Sequence, residues 1–297
     1  MEGISIRFTI LMPGEDRANR CEPLFSRCGT VPNRYLYAIV SCDVELRTEP
    51  HTYLTYQDQR RIIHTKNPSL KMTRKVPFGR PMRDAHFQFS PSYTPLNHGS
   101  FGAYPRLVQE EQNKFTKLAA ERPDAFIVND LPQFIDESRE AVAPLLGVPV
   151  DEVVFVPNAT TGINTVLRNL KFGEGDMVVH FSTIYDACER TLASISELMP
   201  LSCVSILLEY PVEDAEILRR FREMVGLMRG QGKRVRLAMF DTVLTFPGAR
   251  MPWEDLVAMC KELGVLSLID GAHGIGHIDL THLGKVGPDF FVSNCHK

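Results

Sequence analysis

The sequence predicts an α/β protein with a largely parallel sheet covered by helices on both faces. Three observations carry that prediction. From about residue 106, short and nearly continuous apolar runs alternate with amphipathic helical stretches. The apolar runs lack the polar alternation of a sheet with one wet face. The residues with the most chemistry directly follow those runs, where open α/β sheets bind their ligands.

Composition narrows the class further. The chain has 297 residues, 44% hydrophobic and 23% charged, with a net charge of -3. That is the composition of an ordinary globular protein. The charge gives no electrostatic case for nucleic acid or an anionic membrane surface. No apolar run approaches the ~20 residues needed to cross a bilayer. Seven cysteines are scattered without a CxxC pair, which fits a reducing compartment. The apolar stretch Phe8–Met12 is too short for a secretion signal, so the cytoplasm is expected.

Residues 1–74 read differently from the rest. They hold β-prone stretches such as Tyr35–Val44 and the basic segment Arg60–Lys75, without a sustained amphipathic period. They are expected to be a poorly structured N-terminal extension or a gene-model artefact, with the folded domain spanning 75–297. Arg106–Ala120 and Pro132–Leu146 read as helices. Val153–Val156 is a buried strand, followed by a helix whose Ile163, Val166, Leu167 and Leu170 fall on one face. The succession continues with strand Met177–Phe181, helix Asp186–Leu198, strand Cys203–Leu208 and helix Asp214–Arg229. Strand Val235–Phe240, helix Trp253–Leu263 and strands Val265–Ile269 and Asp289–Val292 complete it. Strand order is not readable from this pattern.

Five of the six strand ends offer a candidate. After Val156 come Asn158, Thr160 and Thr161, either an anion site at a helix N-terminus or simply its N-cap. After Phe181 comes Tyr185, which either lies over a planar ligand or packs at a loop–helix junction. Asp241 and Thr242 follow Phe240 as ligand contacts or a turn. After Ile269 comes Asp270-Gly271-Ala272-His273, where a carboxylate ending an apolar strand needs a strong partner or a capping role. The last strand leads to Asn294, His296 and Lys297, whose amine can form an imine with an aldehyde cofactor or be a surface charge. His273 and His277 have the spacing of a zinc pair, but flanking glycines disfavour the helix it needs. Gly271, Gly274 and Gly276 are not in dinucleotide-binding order.

Four separated motifs, in order, resemble the class V aminotransferase family of fold-type I pyridoxal-phosphate (PLP) enzymes. They are Leu96-Asn97-His98-Gly99-Ser100-Phe101-Gly102, Asn158-Ala159-Thr160-Thr161-Gly162-Ile163-Asn164, Asp270-Gly271-Ala272-His273 and Asn294-Cys295-His296-Lys297. The likeness runs from about Lys75 to Lys297 and is to the isopenicillin N epimerase-like and ergothioneine C–S lyase-like branch.

The resemblance implies a PLP-binding large domain and a homodimer acting on an amino acid by C–S lyase, desulfurase or epimerase-like chemistry. Lys297 is then the Schiff-base lysine and proton carrier, and Asp270 the partner of the ring nitrogen. His273 meets the ring edge or phenolic oxygen. Thr160 and Thr161, with His296 and Asn294, hold the phosphate. Tyr185 lies on the ring face, and Asn97, His98 and Ser100 line the substrate side. Two departures stand against it. Leu244 occupies a place where the family has a small hydroxyl residue. The family also continues beyond the lysine into a C-terminal small domain, so a truncated, catalytically silent protein is the alternative expectation.

Overall fold

The computed structural model describes the backbone of Leu36–Val40 and residues 76–297. Apart from Leu36–Val40, the first 75 residues, the basic segment Arg60–Lys75 among them, lie outside that description. The chain divides into two compact units, one of residues 1–42, 135–295 and 297, the other of 43–134 and 296.

The first unit is a seven-stranded sheet. Its strands are β1 (Leu36–Val40), β2 (Val153–Val156), β3 (Asp176–Phe181), β4 (Leu201–Ile206), β5 (Arg234–Asp241), β6 (Leu266–Gly271) and β7 (Phe290–Ser293). They pair in the order β2-β1-β7-β6-β5-β3-β4, and every pair is parallel. Thus β1, drawn from the N-terminal stretch, runs between β2 and β7.

Alternation along the strands divides the core into two faces. Met177, Val179 and Phe181 of β3 join Val235, Ala238 and Phe240 of β5 in one cluster, with Phe221 and Trp253. Val178, Leu237 and Met239 point the other way, joining Ile163, Leu167, Leu192 and Ile195. Each such side chain removed from water contributes roughly 1.5–3 kcal/mol. Two covered faces explain why these strands read as unbroken apolar runs.

The covering helices are Ala159–Asn169, Asp186–Ser196, Asp214–Gly230 and Trp253–Leu263. In the first, Ile163, Val166, Leu167 and the following Leu170 are all buried, as their spacing requires. Strand β4 begins and ends two residues earlier than the expected Cys203–Leu208. As the last strand in the order it is only partly covered, and Leu207 beyond it is exposed. Its apolar run therefore overshoots the hydrogen-bonded part. At the start of β3, buried Asp176 accepts from Arg234 Nη2 at 2.8 Å and from the Gly173 amide at 2.8 Å.

The second unit includes helices Arg80–His86 and Arg106–Glu121, a single turn at His98–Phe101, and a π-helical segment at Phe126–Asp130. Phe115 and Phe134 meet edge-on with ring centres 4.9 Å apart. The helix Leu131–Leu146 follows directly on the π-helical segment.

Candidate active site

Strand register brings the chemistry to one rim. Asp241 ends β5 directly opposite Asp270 on β6, and Asp270 lies opposite Val292 on β7, two residues before Asn294. Two carboxylates therefore sit side by side at the carboxyl edge of the sheet, both buried. Burial first, and the Asp270 charge second, push the Asp241 carboxyl well above its ordinary range. Asp270 is also pushed up by burial, against the Ala272 amide, the Cys188 thiol and the charge of Lys297.

The Asp270 carboxylate is held at both ends. Oδ1 accepts from the Ala272 amide at 2.9 Å, and Oδ2 accepts from the Cys188 thiol at 3.6 Å. Lys297 is half-buried, which lowers the pKa of its ammonium, while Asp270 pulls that pKa back up. An amine with a lowered pKa has more of its nucleophilic neutral form near neutrality. His273 is lowered by burial, then by the charges of Lys297 and His277. Asp270, His273 and Lys297 are thus brought within electrostatic reach of one another.

His273 Nε2 lies 3.3 Å from the Thr245 hydroxyl. Thr245 is carried on a hairpin closed by the Leu244 amide donating to Ala249 O at 2.9 Å. Leu244 itself is buried in the core. Beside the buried Leu244, the hydroxyl that reaches His273 is that of Thr245.

At the anion end, the N-cap reading of Asn158 is realised. Its Oδ1 accepts from the Thr161 amide at 2.7 Å and from the Thr161 hydroxyl at 2.9 Å. Both Thr161 donors are thereby engaged. Asn164 ties this turn to the next helix, donating to Thr160 O and to Thr191 Oγ1, each at 3.0 Å. Asn294 is buried: its Oδ1 accepts from the Ala159 amide at 3.3 Å, and its Nδ2 donates to Ala272 O at 3.5 Å. It ties the ends of β2, β6 and β7 together. Tyr185 stands just before the helix Asp186–Ser196 with its side chain partly exposed.

His296 belongs to the second unit with Asn97, His98 and Ser100. Within that unit a Cβ on Gly102 would lie only 2.3 Å from the His296 carbonyl oxygen, so the motif glycine marks a close backbone approach. Sequence reasoning did not single out Cys188. It lies in an amphipathic stripe with Leu192 and Ile195 and gives no sign of a contact 82 residues away.

Comparisons with known proteins give the family and the fold. The model of the family described as aminotransferase class-V matches residues 103–297. An L-cysteine desulfhydrase-like protein of Epichloe uncinata is 38% identical over 225 residues, covering 76% of this chain and 49% of that protein. The hercynylcysteine sulfoxide lyase of Schizosaccharomyces pombe is 30% identical, covering 74% of this chain and 54% of its own. A solved C-DES mutant with glycine covalently linked to its PLP cofactor matches with a TM-score of 0.61 at 20% identity, covering 69% and 53% of the two chains. The chain spans about half the length of the curated relatives it matches.

Proposed function

The chain belongs to the class V aminotransferase family, and from that premise we propose that it binds PLP and breaks the C–S bond of a cysteine-type amino acid. The observation that carries this reading is the buried Asp270 carboxylate within electrostatic reach of the half-buried amine of Lys297. When bound, PLP supplies an aldehyde that captures an amine and a ring that draws electrons from the neighbouring carbon.

The ring end of the site fits that cofactor. A carboxylate fully removed from water is expensive without a cationic partner, and Asp270 would find one in a protonated ring nitrogen. Lys297 would bond the aldehyde, then carry the proton to and from the substrate α-carbon. His273, steadied by Thr245, would meet the ring edge or phenolic oxygen, and Tyr185 would lie over the ring face. At the anion end, Thr160 and Thr161 would hold the phosphate, and the phosphate role of His296 rests on its motif alone. For Thr161 to donate there, Asn158 must release it. Asn294 would act by fixing the geometry of that turn.

The substrate role of Asn97, His98 and Ser100 rests on their motif alone. We place the protein in the cytoplasm as a homodimer. Among the described residues Cys188, Cys203 and Cys260 are in no disulfide, which accords with a reducing compartment. Among the described residues no helix is long and apolar enough to cross a membrane.

Incubation with PLP followed by borohydride reduction and peptide mass spectrometry tests the reading. The expected result is a single pyridoxyl label on Lys297, abolished by Lys297→Ala. Labelling spread over surface lysines, or no label at all, overturns it.

A further inference from the structure

We infer that Cys188 is a positioning residue for Asp270, its thiol fixing the direction and the ionised form of the carboxylate that faces the cofactor ring. This rests on the reading of Asp270 as the ring partner.

The helix Asp186–Ser196 presents three groups along one side. Tyr185 precedes its first turn, Cys188 is three residues on, and Thr191 three further, the spacing that places side chains over one another. Thr191 receives the Asn164 amide that also holds Thr160 O. Cys188, 1% exposed, points its sulfur at Asp270 Oδ2. With the Ala272 amide on Oδ1, each carboxylate oxygen has its own donor, and the plane of the group is set. A carboxylate with only one donor keeps the freedom to rotate about the Cβ–Cγ bond.

Two other charged groups bear on Asp270, and one more titratable group stands near it. Asp241 approaches from β5 and opposes its negative charge, Lys297 favours it from the end of the chain, and His273 stands on the same turn. Against Asp241, a donor on Oδ2 favours ionisation at Asp270. The Cys188 thiol is suited to donate and to do nothing else. Burial, then the charges of Asp270 and Asp241, push its pKa far up, so it keeps its proton and is no nucleophile.

A buried cysteine usually acts as a small hydrophobe, so packing and hydrogen bonding must be separated. Cys188→Val keeps the apolar volume and removes the donor. Cys188→Ser keeps a donor and gives up the sulfur's packing. The Asp270 carboxyl is followed by 13C NMR against pH in the chain without PLP, and PLP affinity is measured by fluorescence quenching. In Cys188→Val the Asp270 midpoint is expected to move upward and PLP affinity to fall roughly five- to tenfold, the weight of one hydrogen bond. Cys188→Ser is expected to stay near wild type on both counts. Cys188→Ala, which removes the donor without adding bulk, stands in if valine overfills the site.

Equal Asp270 midpoints in wild type and in the donorless variants overturn the inference. So does a serine variant that behaves like valine. If wild type takes up no PLP, the proposed function fails by itself, and the carboxyl titration still decides the role of Cys188.

Discussion

Asp241 and Asp270 contribute to the pH behaviour of the first unit. Burial, and at Asp241 the neighbouring charge, make both carboxyls hold protons more tightly when folded than when unfolded. The folded state then binds more protons than the unfolded one between the ordinary carboxylate range and the raised values. Their contribution to stability is complete at the acid end of that window and falls as pH rises through it, the reverse of a salt-bridged aspartate. Asp241→Asn removes one member of the pair and is expected to flatten the fall, raising the urea midpoint at neutral pH. Urea melts of both proteins from acid to neutral pH check this. A second outcome concerns Lys297, whose pKa Asp270 holds up against burial. In Asp270→Asn that support is gone, so the pH midpoint for capture of PLP by the amine is expected to shift lower. The rate of appearance of the visible absorbance of lysine-bound PLP reads it. Asp270 and Lys297 were legible as residues because each follows an apolar strand. Asp241 was legible for the same reason, but its pairing with Asp270 was not, and Cys188 reaches Asp270 across the fold, a contact of which local spacing carries no trace.

At the scale of the element, the amphipathic stripes were the clearest signal. The helix Trp253–Leu263 matches its expected bounds because its apolar face meets one cluster and Gly264, in the left-handed region at φ 61°, ends it. Where burial is partial, as at β4, hydrophobicity marks the strand only to within two residues. The N-cap of helix Ala159–Asn169 shows how one residue serves two readings. Asn158→Ala is expected to cost about 1 kcal/mol through the lost cap, and thermal unfolding measures it. Gly271 is a sharper constraint: a Cβ there would sit 2.3 Å from Phe291 Cζ and 2.9 Å from Val292 O. Gly271→Ala is expected to lower stability by roughly 1–3 kcal/mol, the range for overpacking, with Asp270 displaced as the strand end yields. Denaturant melts report the first effect, and the Asp270 carboxyl shift reports the second.

For the whole molecule, a largely parallel sheet was predictable from double burial. The strand order was not, because the hydrophobic pattern of a strand is the same whichever neighbour it takes. The position of β1 between β2 and β7 depends on partners more than a hundred residues away in sequence. PLP binding is expected to raise the melting temperature with rising cofactor concentration, adding about 2.7 kcal/mol at a hundred times Kd. Hydrogen exchange is expected to place the protection at the ends of β2, β6 and β7. The amide of Asn294 joins those three ends. Under the proposed function it would set the distance between the threonine turn and the lysine, and the rim would work as a gauge of ligand length. Pyridoxal, which lacks the phosphate, would reach Lys297 and leave the far end of the gauge unfilled.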